Sequence, residues 1–214
     1  MSGLRALGLT LTLLFLSGAM TAGAAEIQLP PPQTEGGIGV FEALKKRSST
    51  EGGDFSAAEL SPAELSTILW AASGLNRGEK GWTVPMARGM APYCKVYVAG
   101  SNGVWLYDWA SHSLKEISPD NVKAKIGSQA FVRRASHLLI LVADPEVLKV
   151  FPNPEVQAEF ANVLAGAMTQ NVYLAAASLK LGARYIHRMD LAATKEALAL
   201  GEGERPICLM MVGK

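Results

Sequence analysis

Apolar and polar positions along this chain change period several times, and each change marks an element. Ile38, Phe41 and Leu44 recur at three-residue spacing, which predicts a short amphipathic helix from residue 38 that runs into the polar cluster at residues 45–50. Ser61-Pro62-Ala63-Glu64 joins a capping box to a proline at the first helical position. Leu65, Ile68, Leu69 and Ala72 supply the apolar face that follows, and Gly74 closes it. Residues 95–99 and 104–107 are β-rich runs on either side of Ser101-Asn102-Gly103, where Asn-Gly supports the left-handed backbone of a tight hairpin.

Ser118-Pro119 predicts a further short helix ending at Gly127. Residues 138–143 are apolar without interruption, the pattern of a strand buried on both faces. Asn153-Pro154-Glu155 opens the longest helix, predicted to run to Leu181 with Gly182 beyond it. From Leu164 onward its apolar residues fall on nearly every face, so it is buried in a core or in a subunit interface. Asp190 caps a last helix to Leu200, Gly201 stops it, and residues 206–212 form a terminal apolar strand. A hairpin plus isolated strands between helices predicts an α+β fold, with helices against a mixed or antiparallel sheet.

The N-terminus has a different character. A single cation, Arg5, precedes an apolar run at residues 6–16 that is too short to cross a bilayer core as a helix, and small residues follow at 21–25. Ala22-x-Ala24 fits a signal peptidase, so residues 1–24 read as a signal peptide, Ala25 or Glu26 as the mature N-terminus, and the periplasm or the exterior as the destination. Residues 25–37, with Leu29-Pro30-Pro31-Pro32, read as an extended proline-rich arm, and residues 38–214 as one domain.

Loss of Arg5 leaves 19 cations against 19 acids. A neutral chain without a Lys/Arg block gives no reason to expect nucleic acid or an anionic membrane as partner. The Ala-rich stretch at residues 163–181 is broken by Gln170, Asn171 and Lys180, so no membrane span is expected in the mature form. Cys94 and Cys208 each lie in an apolar run, which allows either one bridge or two buried free thiols. His112, His137 and His187 have no ligand spacing, and no nucleophile elbow, Walker loop or dinucleotide fingerprint occurs. A catalytic cofactor would therefore be held by scattered residues.

Several segments, in order, carry a resemblance. They are Leu29-Pro30-x-Pro32, Ala43-Leu44-Lys45-Lys46-Arg47-Ser48-Ser49, the stretch from Leu60-Ser61 through Leu69-Trp70-Ala71-Ala72-x-Gly74-x-Asn76-Arg77, Val96-Tyr97-Val98, Gln170-Asn171-Val172-Tyr173-Leu174-x-Ala176, Leu181-Gly182 and Val212-Gly213. In this order the chain resembles the nitroreductase family, in particular its short branch related to azoline oxidases. The resemblance implies a mainly antiparallel sheet flanked by helices in an intertwined homodimer. It also implies FMN at the subunit interface, and hydride transfer between a nicotinamide or other donor and a small electron-poor acceptor. A flavin carries the electron chemistry itself while the protein positions and tunes it, so no catalytic triad is needed.

The family's phosphate-binding positions map onto Arg47, Ser49 and Glu51, or one residue earlier onto Lys46, Ser48 and Thr50. Glu51 stands where the family usually has a cation, and a desolvated carboxylate beside a phosphate is repulsive. Arg88 or Arg188 is the expected replacement for that charge. In the loop at residues 85–92, Met86, Gly89 and Ala91 stand where the family commonly places Ser, Asn and Gln around the flavin ring. The chain also stops at Lys214, without the basic extension of longer members. These departures sit at the cofactor site, so the alternative expectation is a binding or structural protein that keeps the fold without flavin.

Overall fold

The computed structural model describes residues 25–214, so the expected signal peptide lies outside the described residues. The strands are β1 (Glu26–Gln28), β2 (Cys94–Gly100), β3 (Gly103–Asp108), β4 (Ser113–Ser118), β5 (His137–Ala143), β6 (Gly182–Ile186) and β7 (Arg205–Gly213). The helices are α1 (Val40–Lys46), α2 (Pro62–Ser73), α3 (Lys123–Ile126), α4 (Pro145–Leu148), α5 (Pro154–Leu179) and α6 (Leu191–Ala197). The strands form one sheet in the order β1-β4-β3-β2-β5-β7-β6, antiparallel at every pairing.

Because side chains alternate across a strand, the sheet divides its apolar residues between two cores. Leu139, Leu141, Cys94, Val96, Val98, Cys208, Met210 and Val212 face α2 and α5, where Ile68, Leu69, Leu164, Met168 and Val172 cover them. Leu138, Ile140, Val142, Leu209 and Met211 face the other way, onto Ile126 of α3, Val132 and Leu198. The chain is thus a three-layer α+β domain. β5 is buried along its whole length, which is why its sequence shows no alternation.

Local signals place most boundaries. The capping box at Ser61 and Glu64 forms as expected, with the Ser61 amide donating to Glu64 Oε2 at 2.6 Å. Asn153 and Asp190 cap α5 and α6 through their side chains. Four expectations need correction. α1 starts at Val40, after Gly39, rather than at residue 38, and α6 stops at Ala197, with Leu198 as its C-cap, rather than at Leu200. Ser118 does not open a helix, because pairing with Val104 draws it into β4, and α3 starts only at Lys123, although Gly127 ends it as expected. The long helix stops at Leu179 rather than Leu181, because Lys180 turns left-handed with φ 58° and frees Gly182 to start β6.

The proline arm is tied down at its start. β1 pairs with β4, and Leu29 is buried. Ser66 donates to the Pro30 carbonyl at 2.6 Å, which commits its only proton, so the 2.7 Å contact with His112 Nε2 has the imidazole as donor. Nδ1 of His112 is left to accept from the Tyr107 hydroxyl at 2.9 Å. Burial pushes the His112 imidazole below its ordinary range, which keeps it neutral as this arrangement requires. Ser66 and His112 look like a nucleophile and base, but Ser66 is fully buried and its hydroxyl is spent on the arm.

Cys94 and Cys208 are buried free thiols. They lie on β2 and β7 with β5 between them, so two strand spacings of roughly 9.5 Å separate the backbones. That exceeds the Cα separation of about 7 Å beyond which no bridge closes. Burial pushes the Cys208 thiol up to about 12.

Candidate functional site

The segment after α1 is extended and lies against α5 and the start of β6. Thr50 fixes it: its amide donates to the Ala183 carbonyl at 2.9 Å, and its hydroxyl accepts from the Ala183 amide at 3.1 Å. Extended backbone alternates its side chains, so Arg47 and Ser49 share one side. Both meet Tyr173 of α5. The Arg47 guanidinium stacks over the Tyr173 ring at 5.1 Å, and Ser49 Oγ lies 2.8 Å from the Tyr173 hydroxyl. That hydroxyl also accepts the Tyr185 amide at 2.7 Å. The Tyr173 proton is then free to go to Ser49, leaving the Ser49 proton for a ligand.

The other register is dispersed. Lys46 pairs with Glu42 at 2.6 Å, Ser48 is exposed, and Thr50 is spent on β6. Arg47 has no carboxylate partner within 4 Å among the described residues. Glu51 has one. Its Oε2 lies 3.4 Å from Arg184 Nη1, which also donates to the Thr50 carbonyl at 3.0 Å, while the guanidinium stacks on Phe131 at 5.3 Å. A turn closed by the Asp54 amide on the Glu51 carbonyl at 3.0 Å ends the alternation, and the unexpected carboxylate is exposed beside Arg184. Arg188 is not brought to this segment: its side chain is exposed, and its carbonyl accepts from Ser128.

Tyr173 is the last member of a row on α5. Asn162, Gly166, Thr169 and Tyr173 follow one another at helical spacing, so the row runs about 16 Å along the helix at 1.5 Å per residue. Beside its middle lies a cleft of about 540 Å³, walled by Asn162, Gly166 and Thr169 on one side and by Tyr185, His187 and Arg205 on the other. Tyr185 and His187 form a shelf: their rings lie 6.4 Å apart at 22°, and the Tyr185 hydroxyl is 3.2 Å from His187 Nδ1. Glycine inside a helix costs about 1 kcal/mol relative to alanine. No packing demands one at Gly166, since a Cβ there would meet nothing within 4 Å. Its effect is to leave backbone open at the cleft.

Gly89 belongs to a different region. It sits in a single 3-10 turn (Ala87–Gly89) with φ 65°, at the entry to β2, while the side chain of Arg88 lies outside what is described. Cys94 pairs with Ala143 and Ala143 with Arg205, so this loop is at the Arg205 end of the sheet. Arg47 and Ser49 are at the opposite end, where Gly182 pairs with Gly213. Nine-residue β7 separates the two ends by roughly 27 Å at 3.3 Å per residue. One ligand reaches both groups only if they come from two copies of the chain.

An apolar surface is left uncovered on α1 and α5. On α1 only Ala43 is buried, whereas Phe41 is 85% exposed, and Val40, Leu44 and Val163 of α5 are exposed as well. The amphipathic face expected of α1 is present but points outward, because the domain core is already closed by α2 and α5. Among the described residues no cluster of His, Cys, Asp or Glu could hold a metal ion, and no helix is long and apolar enough to cross a membrane.

The fold has counterparts in known proteins. A protein of Methanocaldococcus jannaschii, named as a candidate nitroreductase, is 32% identical over 200 residues, covering 88% of this chain and 96% of its own. A crystal structure from Ralstonia eutropha, described in the same terms, is 32% identical with a TM-score of 0.82, covering 90% of this chain and 92% of that one. A chain of the Escherichia coli microcin synthetase complex shares the fold at 15% identity, with a TM-score of 0.68 over 100% of this chain and 84% of its own. The family model described as the nitroreductase family matches residues 44–214, from the segment that bears Arg47 to the end of β7. This chain belongs to the nitroreductase family, and its function is of the oxidoreductase type.

Proposed function

We propose that the protein is an exported FMN-dependent oxidoreductase that works as a homodimer. The observation that carries this reading is Arg47, an arginine without a carboxylate partner, held with Ser49 on Tyr173 at one end of a row that leads into an aromatic-walled cleft. The residues present fit a mononucleotide. Arg47 offers paired donors and Ser49 one more to a phosphate, and charge-assisted bonds of this kind are about twice as strong as neutral ones. Gly166 leaves space for close approach of a planar ring along α5, beside Thr169.

FMN when bound would supply two-electron chemistry between a nicotinamide donor and an electron-poor acceptor. The protein's part is positional. Arg47 and Ser49 anchor the anionic end, Arg184 keeps Glu51 from opposing it, and the Tyr185–His187 shelf presents donors at the cleft wall. The loop carrying Arg88 and Gly89 would join the site from the second copy, which accords with its distance from Arg47 in one chain. Cells producing the protein are expected to yield a yellow dimer whose visible absorption is bleached by a reduced nicotinamide and returns when an electron-poor acceptor is added. A colourless preparation that stays colourless in excess FMN would sink the proposal.

Glu51 gives this reading a finer test. Arg184→Ala is expected to weaken FMN binding roughly tenfold, since about 1.4 kcal/mol corresponds to that factor and an exposed carboxylate is partly screened. Adding Glu51→Gln should restore most of the loss, a coupling that a double-mutant cycle reads directly. Equal weakening with and without Glu51 would mean that Arg184 does not act by neutralising it. Export is part of the same proposal: the mass of the mature chain should place its first residue at Ala25 or Glu26, and retention of residues 1–24 would contradict it.

A further inference from the structure

We infer that the Arg205 end of the cleft recognises the carboxylate of a planar aromatic acid, so that the protein's small-molecule partner is an anionic acceptor. Arg205 starts β7 and lines the cleft at the end away from Arg47. Asn162 Oδ1 accepts from its Nη2 at 3.3 Å, which fixes the guanidinium against α5 and uses one of its five donors. No carboxylate lies within 4 Å of Arg205 among the described residues. Its acidic neighbours are taken: Glu204 by Lys95 at 2.8 Å and by the Gly201 amide at 2.7 Å, and Asp144 by Lys95 at 3.3 Å and by the Glu146 amide at 3.0 Å.

The result is an oriented cation without a carboxylate partner among the described residues, lining the same cleft as the Tyr185–His187 aromatic shelf. Guanidinium matches the fork geometry of a carboxylate, and an aromatic ring offers the shelf a face to stack on. A volume of about 540 Å³ has room for a small aromatic acid on the shelf beside a planar ring laid along α5. Placing this molecule as the electron acceptor rests on the flavin reading above. The preference for a carboxylate does not.

The test is calorimetric titration of the purified protein with 4-nitrobenzoate and, separately, with its neutral counterpart 4-nitrobenzamide, with FMN content read from the visible spectrum of the same samples. The carboxylate should bind at least tenfold more tightly than the amide. Arg205→Gln should erase that difference by weakening the carboxylate alone, with the thermal melt unchanged because Arg205 is exposed. Equal affinities in the unaltered protein, absence of binding by either compound, or a preference that survives Arg205→Gln would each overturn the inference. Absence of flavin from samples that still discriminate would sink the flavin reading and leave this one standing.

Discussion

Phe41→Asp is expected to convert the protein from dimer to monomer and to abolish FMN binding along with it. Phe41 is 85% exposed on a helix with one buried residue, and Val40 and Leu44 are exposed on the same helix. Fully burying one such side chain contributes about 1.5–3 kcal/mol, and a two-fold interface counts it twice. An aspartate would forfeit that and add two desolvated carboxylates, each costing several kcal/mol. The dimer should therefore weaken by a factor of about 10³ or more, read by sedimentation equilibrium. The isolated fold should keep its circular dichroism, because Phe41 contributes nothing to either core. A variant that stays dimeric at micromolar concentration would place the interface elsewhere, and with it the route by which the Gly89 loop reaches a ligand on Arg47.

Arg47→Ala should have the second largest effect, about a hundredfold loss of FMN affinity with the dimer intact. Hydrogen bonds to charged groups contribute about 1.5–3 kcal/mol, and Arg47 meets Tyr173 beside Ser49 with no carboxylate within salt-bridge distance among the described residues. Its guanidinium is half-buried on Tyr173, so it is less screened than a free surface charge. Fluorescence quenching of added FMN measures the loss. Arg47→Lys should recover only part of the affinity, since lysine keeps the charge but neither the fork nor the stacking on Tyr173. An alanine variant that binds as tightly as the unaltered protein would move the phosphate seat to Lys46 and Ser48.

Local chemistry made much of the fold legible in the sequence. The Ser61 capping box, the Asn102-Gly103 hairpin, the unbroken apolar run of β5 and the Asn153 and Asp190 caps all act within a few residues, and all form. β4 escaped notice because Ser113, Lys115 and Glu116 give it little apolar pattern; its pairing with β3 and β1 makes it a strand. The same pairing overruled the helix signal of Ser118-Pro119.

At the candidate site, Arg47 and Ser49 were readable as candidates from their segment, and Glu51 was readable as an anomaly. Its remedy was not, because Arg184 is more than a hundred residues away and reaches Glu51 only once β6 docks on Thr50. Alternation in Ala183-Arg184-Tyr185-Ile186 was the one available signal, since it separates Arg184 and Ile186 from the face that carries Tyr185. Tyr173 lies in the helix expected to be buried in a core or an interface, and it is buried, yet its hydroxyl joins Ser49 to β6. The spacing of Ile38, Phe41 and Leu44 gave α1 an apolar face but could not say that the domain would leave it uncovered.

All of the proposed chemistry depends on an anionic tail being gripped at Arg47 while a planar ring enters the cleft. Parallel titration of the purified protein with FMN and with riboflavin, which differ only in the phosphate, tests this most directly. FMN should bind at one per chain and at least a hundredfold more tightly than riboflavin, with the gap narrowing as salt is raised. Equal affinity for the two, or binding of neither, would contradict the account and leave a nitroreductase fold put to some other use.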